Sequence, residues 1–345
     1  MLLPCYANPQ ALSDRVTVEP EKTIMTVQQF LRPVLCALAS LTLALGAKAQ
    51  TAPKYPKDTV ILATHSSPGG GSDVFLREMA PHLTRVMGIN FAIENISGGS
   101  GAKAMAVLAK AKPDGGMFYA TTPTFIYTSL MSKTEASFRD LEPLVNVFFD
   151  PEVVYTSVES KFLTLKDVID HARANRGKWG AANPASLERQ VLERMKTATG
   201  VRAAVVTFEG GGDMQINVLN RTLDIGIGEL GEIKPQLEAA KLRILAVMGD
   251  SRIEQLPDVP TAREQGVDVS VRKFRGLAAP KGTSPDVVAA WEAGIQKVLA
   301  DPAYRKIYIE NGLHPAFIAH KEYGAFITDF ARETEAFLKA ASVIK

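Results

Sequence analysis

Two short turns hold residue types from which an anion site can be made: Pro68-Gly69-Gly70-Gly71-Ser72 and Ser97-Gly98-Gly99-Ser100-Gly101. A helix start leaves backbone N–H groups unpaired and carries roughly half a positive charge. Small residues there let ligand atoms approach the amides, which suits a glycine-rich strand-to-helix turn to a carboxylate or phosphate. Ser72 and Ser100 add hydroxyls beside those amides. One such turn is more often a plain connection. Two in succession, each straight after a strand, point to an anion site.

Neither turn is a nucleotide loop, because the P-loop lysine and spacing are absent and G-x-G-x-x-G is not met in either. That spacing does occur at Gly226-Ile227-Gly228-Glu229-Leu230-Gly231, with Asp250 near the expected ribose position. Glu229 and Glu232 would set carboxylates against a pyrophosphate, and Pro235 is expected to interrupt the helix that follows. A dinucleotide is therefore not expected. His65, His82, His171, His314 and His320 show no metal-ligand spacing, and no G-x-S-x-G elbow is present. Gly249-Asp250-Ser251 is only a fragment of such a motif, and His65, beside the first turn, reads as a strand cap or cleft residue rather than a base. The expectation is a binding protein without catalytic residues, metal or cofactor.

The elements that must position these turns alternate. Thr59–Thr64, Asn90–Glu94 and Met117–Thr121 read as strands. Ser72 to Met87 and Ala102–Ala111 read as the helices between them, with apolar residues three and four apart. Single helices between strands imply parallel, doubly wound sheets, and they bring both turns to the strand edge where open α/β folds bind ligands. The second half continues with extended runs at 144–149 and 153–157, a helix at 165–175 and a strand at 178–181. Asn183-Pro184 is expected to cap a helix running to Thr199. Further strands are expected at 205–208, 223–227, 244–248 and 269–279, and closing helices at 285–299, 302–310 and about 323–341.

The N-terminal segment reads as an address. Val34–Gly46 is an apolar run after Arg32 and before Ala47-Lys48-Ala49, a secretory signal with cleavage expected after Ala49. Pro4, Pro9, Pro20 and the acids Asp14, Glu19 and Glu21 suit a signal poorly, so Met25 is the expected start. Cys5 and Cys36 both lie before the cut, and Cys36 sits inside the apolar run rather than at its end, which argues against a lipid anchor. The exported chain would hold no thiol, excluding disulfides, thiolate zinc and cysteine nucleophiles. Its formal charge falls from +2 by one unit, without a basic block, so no nucleic-acid partner is expected.

An ordered series of short motifs resembles the substrate-binding proteins of tripartite tricarboxylate transporters. It runs through Pro68–Val74, Ile93-Glu94-Asn95, Gly98–Gly101, Pro113-Asp114-Gly115, Asp150-Pro151 and Glu209-Gly210-Gly211. It continues through Leu256–Thr261, Gly266, Arg275-Gly276 and Ala279–Thr283. The resemblance implies an α/β, two-domain periplasmic binding protein of type II, each domain a doubly wound, mostly parallel sheet. Domain one would be about 51–149 with 273–345, and domain two 150–272. It implies a monomer that captures a small carboxylate and delivers it to a permease of one large and one small membrane subunit. Presentation to a membrane sensor is the alternative.

The implied ligand contacts are Gly69, Gly70, Gly71 and Ser72 in the first turn and Ser97, Gly98, Gly99, Ser100 and Gly101 in the second. Thr122 would join them, with Asn183, Ser186, Phe208, Glu209 and Gly210 across the cleft. Phe208-Glu209-Gly210 stands where such proteins usually carry a Tyr-Lys-Gly sequence, and Gly180–Ser186 holds less glycine and serine than usual. An acid at Glu209 and apolar walls from Phe125, Tyr127, Phe148, Phe149 and Phe208 favour a monocarboxylate with an apolar or aromatic body over a triacid.

Overall fold

Apolar runs of strand length, bounded by glycine and proline, lie buried at the centre of each half of the chain. The computed structural model describes residues 55–345 apart from Ala341. The export signal, its cleavage after Ala49 and the Met25 start lie outside the described residues.

The chain builds β1 (Thr59–Thr64), α1 (Gly71–Met87), β2 (Asn90–Asn95), α2 (Ala102–Lys110), β3 (Met117–Thr121), α3 (Pro123–Met131) and β4 (Leu141–Asp150). It then leaves for a second sheet: β5 (Glu152–Ser157), α4 (Leu165–Ala174), β6 (Gly177–Ala181), α5 (Leu187–Thr199), β7 (Ala203–Thr207), α6 (Gly211–Leu219), β8 (Ile225–Glu229), α7 (Leu230–Glu238) and β9 (Leu242–Val247). It returns with β10 (Lys273–Pro280), α8 (Pro285–Ala300), α9 (Pro302–Glu310), β11 (His314–Ile318) and α10 (His320–Ala340). The strand orders are β11-β4-β10-β3-β1-β2 and β7-β6-β8-β5-β9. In each sheet three neighbouring strands run parallel, β2-β1-β3 and β7-β6-β8, and antiparallel strands extend the edge. The architecture is thus α/β with two mixed sheets.

Alternation along the strands sorts side chains to two faces. In β5, Val154 joins the cluster around Trp179 and Val191, whereas Val153 and Tyr155 join Met214 and Ile233 on the other side. In the first sheet, Leu62, Phe118 and Phe148 pack with Trp291, and Phe274 packs with Phe125 and Tyr323. Each fully buried large apolar side chain contributes roughly 1.5–3 kcal/mol. The sheets are held by these four clusters.

Four local expectations are corrected. The helix expected from Asn183 starts at Leu187, because the Ser186 hydroxyl accepts from the Arg189 N–H at 3.1 Å and caps it. Pro235 does not interrupt its helix but sits inside α7, which runs nine residues. The extended run from Val269 becomes ladder-paired only at Lys273, since Val271 instead donates to Met248 O. Three of the five expected aromatic walls are core: Phe125, Tyr127 and Phe148 are 1, 2 and 0 % exposed within the clusters above, whereas Phe149 and Phe208 are half-buried at the cluster margins.

Candidate functional site

The chain crosses between the sheets at two places that lie side by side. Pro151 ends β4 and opens β5, while Lys273 begins β10 directly opposite Asp150 in the antiparallel ladder. Side chains two apart in a strand share a face, so Lys273 and Arg275 project together. Gly276 follows, and a Cβ there would meet Tyr323 Oη at 2.4 Å and Val145 O at 2.5 Å. No other residue fits that position without displacing its neighbours.

Lys273 and Arg275 organise a buried set of acids. Arg275 Nε donates to Asp150 Oδ2 at 2.8 Å, Nη1 to Ser72 Oγ at 3.1 Å and Nη2 to Glu229 Oε1 at 2.9 Å. Lys273 Nζ donates to Glu152 Oε1 at 3.0 Å and to Glu188 Oε1 at 2.5 Å, and also rests against Glu229. Burial opposes the charge on Lys273, but Glu152, Glu188 and Glu229 together outweigh it and hold the ammonium form well above its ordinary range. Burial likewise opposes the charge on Glu229, yet Lys273, a hydrogen bond from Glu232, and Arg275 hold that carboxylate well below its ordinary range.

Glu232 goes the other way. Burial and then the adjacent Glu229 raise it far above the usual carboxylate range, which makes it the protonated donor of the pair. Burial and Glu188 raise Glu152 too, and burial lifts Asp150 to about 6 despite Arg275. Five carboxyl groups thus share two cations here. Glu152, Glu188 and Glu229 each bring one oxygen within 4.8 Å of the others, a donor set for a hard cation, but Lys273 Nζ sits against all three.

A polar cavity of about 30 Å³ opens between the sheets beside this network. The first-sheet side gives it His65, Ser66, Gly71, Ser72, Thr122, Thr124 and Lys273. The second gives Ala182, Asn183, Glu188, Gly210, Gly211, Glu229 and Glu232. That volume suits one water and no organic acid. The halves close on each other through their glycines: a Cβ on Gly71 would stand 2.5 Å from Glu229 Oε2, and one on Gly210 would stand 2.7 Å from Ser67 N; within the second half, one on Gly211 would stand only 1.9 Å from Glu232 Oε1. The two carboxyls therefore lie at the N-terminal ends of α1 and α6, where the helix dipoles favour negative charge. His65 Nδ1 lies 2.6 Å from Tyr119 Oη, and burial pushes its pKa down to about 4, so the ring is neutral.

Of the residues singled out from sequence, Gly71, Ser72, Thr122, Asn183 and Gly210 border this cavity. Gly70 is buried behind Gly71, and Gly69, at φ 78°, is exposed. The second turn stands behind His65 rather than in the lining. Ser97, Gly98, Gly99, Ser100 and Gly101 do not line the cavity: Ser100 Oγ accepts from the Ala185 N–H at 3.3 Å in the loop before α5, and a Cβ on Gly101 would stand 3.1 Å from Tyr119 Oη and 3.2 Å from the His65 ring. Ser186 caps α5, Phe208 is half-buried against the Met214 cluster, and Glu209 is exposed. Sequence reading missed Glu188 and Lys273, and it met Glu229 and Glu232 only as obstacles to a nucleotide. The buried polarity of β10, with Lys273 and Arg275 in an otherwise apolar run, was the available signal.

Comparison with known proteins follows the same line. The family profile described as tripartite tricarboxylate transporter family receptor matches residues 75–343. A UPF0065 protein of Bordetella bronchiseptica is 26% identical over 321 residues, covering 92% of this chain and 95% of its own. The structure of an R. palustris protein with adipate is similar at a TM-score of 0.78 and 25% identity, covering 84% of this chain and 98% of its own. The periplasmic binding protein BugD is similar at a TM-score of 0.78 and 21% identity, covering 84% and 99%. Among the described residues, no helix is long and apolar enough to cross a membrane.

Proposed function

Since the chain belongs to the tripartite tricarboxylate transporter receptor family, we propose that it is a periplasmic receptor that captures a small carboxylate and hands it to a two-subunit membrane permease. The observation that carries this reading is the meeting of strand-to-helix turns from both sheets, Gly71-Ser72 and Gly210-Gly211, at one buried polar cavity. In this reading residues 51–149 with 273–345 form one lobe and 150–272 the other. The halves part to admit the ligand and close again around it. Adipate in the R. palustris relative supports a carboxylate as the common feature. Backbone amides and hydroxyls at the first turn would take that group, with Lys273 as the nearby cation.

Mass spectrometry of ligand retained through gentle purification, followed by calorimetry with that compound, tests the reading. Recovery of a carboxylate that rebinds supports it. Recovery of a sugar or a metal chelate as the bound solute would refute it.

A further inference from the structure

We infer that the ligand carries a protonated nitrogen beside its carboxylate, and that Asn183 and Glu188 receive its N–H groups. This rests on the receptor reading above and narrows its substrate class. Asn183 and Glu188 are both 4 % exposed, and both line the cavity between the sheets. Among the described residues, neither Asn183 Oδ1 nor Glu188 Oε2 meets a hydrogen-bond donor. A buried acceptor without a donor costs about 1–3 kcal/mol, which a ligand N–H would recover.

The charge of the cavity points the same way. Glu188, Glu229 and Glu232 border it and Lys273 is the cation among them, itself already shared by Glu152, Glu188 and Glu229. A second carboxylate would enter next to acids, whereas an ammonium would complete a short pair of cations. Burial keeps Glu232 protonated, so a neighbouring positive charge could ionise it and gain a full ion pair. A bare metal ion is a poorer occupant, since Lys273 Nζ holds the point where the three carboxylates converge.

Calorimetry of the exported chain with matched pairs tests this: glutamate against glutarate, phenylalanine against 3-phenylpropionate, and 5-aminovalerate against valerate. The amino member of at least one pair should bind about tenfold more tightly or better, since each 1.4 kcal/mol is a decade. In Glu188→Gln and in Asn183→Ala that gap should narrow to roughly threefold or less. Asn183 joins no ion pair, so its variant carries the test if Glu188→Gln fails to fold. If the amine-free acids bind as well as or better than their partners, the inference falls and the carboxylate reading stands. If no member of any pair binds while a neutral solute does, both fall together.

Discussion

Arg275 Nη2 donates to Glu229 Oε1 at 2.9 Å, tying an interior strand of the first sheet to the end of β8 in the second. The same guanidinium holds Asp150 beside the crossing and Ser72 at the first turn. Arg275→Met would leave two buried acids short of a cation, and removing one partner of such a pair costs about 3–5 kcal/mol. Urea unfolding should show a lower midpoint at unchanged slope. A loss under about 1 kcal/mol would mean that water reaches the network.

His65 should make the protein acid-sensitive. Burial holds its folded pKa near 4 against an ordinary 6.5; Lys273 and Arg275 push the same way, and Glu188 and Glu229 oppose them. Between those values the unfolded chain takes up a proton that the folded chain refuses. The contribution is complete above pH 6.5 and falls with pH by about 1.4 kcal/mol per unit. Relative to His65→Gln, the native protein should lose about 3 kcal/mol between pH 7 and pH 4. Parallel profiles for the two proteins would refute a buried neutral ring.

Glu232 has the opposite sign. Burial first, then Glu229, raises its folded pKa, so its stabilising contribution is complete below pH 4.5 and is lost as pH rises toward the folded value. Glu232→Gln keeps a donor for Glu229 and removes the group that resists ionisation. Its unfolding free energy should match or trail the native value at pH 4.5 and exceed it increasingly as pH rises, by about 1.4 kcal/mol per unit for as long as folded Glu232 keeps its proton. A pH-independent difference between the two proteins would count against the protonated pair.

Two glycines separate backbone strain from site geometry. Gly88 caps α1 at φ 68° with nothing within 4 Å of a Cβ, so Gly88→Ala should cost roughly 1–2 kcal/mol of stability and leave affinity intact. Gly211→Ala would press on Glu232, which is held by Gln215 and Glu229, and should weaken ligand binding measurably in calorimetry. Equal effects of both on affinity would show that Gly211 serves only the backbone.

The sheets were legible because their strands are short apolar runs between glycine and proline breaks, and such runs need no distant partner to be recognised. Helix α3 was missed for the opposite reason: Pro123–Met131 is buried on nearly all sides and shows little amphipathic period. The glycine turns announced a site, but its electrostatics depended on pairings invisible along the chain. Lys273 meets Glu152 and Glu188, 121 and 85 residues away: the β4–β10 register sets it beside the crossing to Glu152, and the start of α5 brings Glu188 to it. Glu209 drew attention as a departure in sequence yet is exposed, while Glu188, unremarkable in a helix's first turn, reaches the centre.

The paired crossings have a mechanical consequence. Asp150 and Lys273 lie opposite each other in an antiparallel ladder, so the two connections behave as a ribbon rather than as independent tethers. A ribbon bends across its flat face easily, but sliding one edge past the other breaks ladder hydrogen bonds. Relative travel of the two sheets should then be mainly a bend at this ribbon, and a distance between labels on α2 and α5 should follow it.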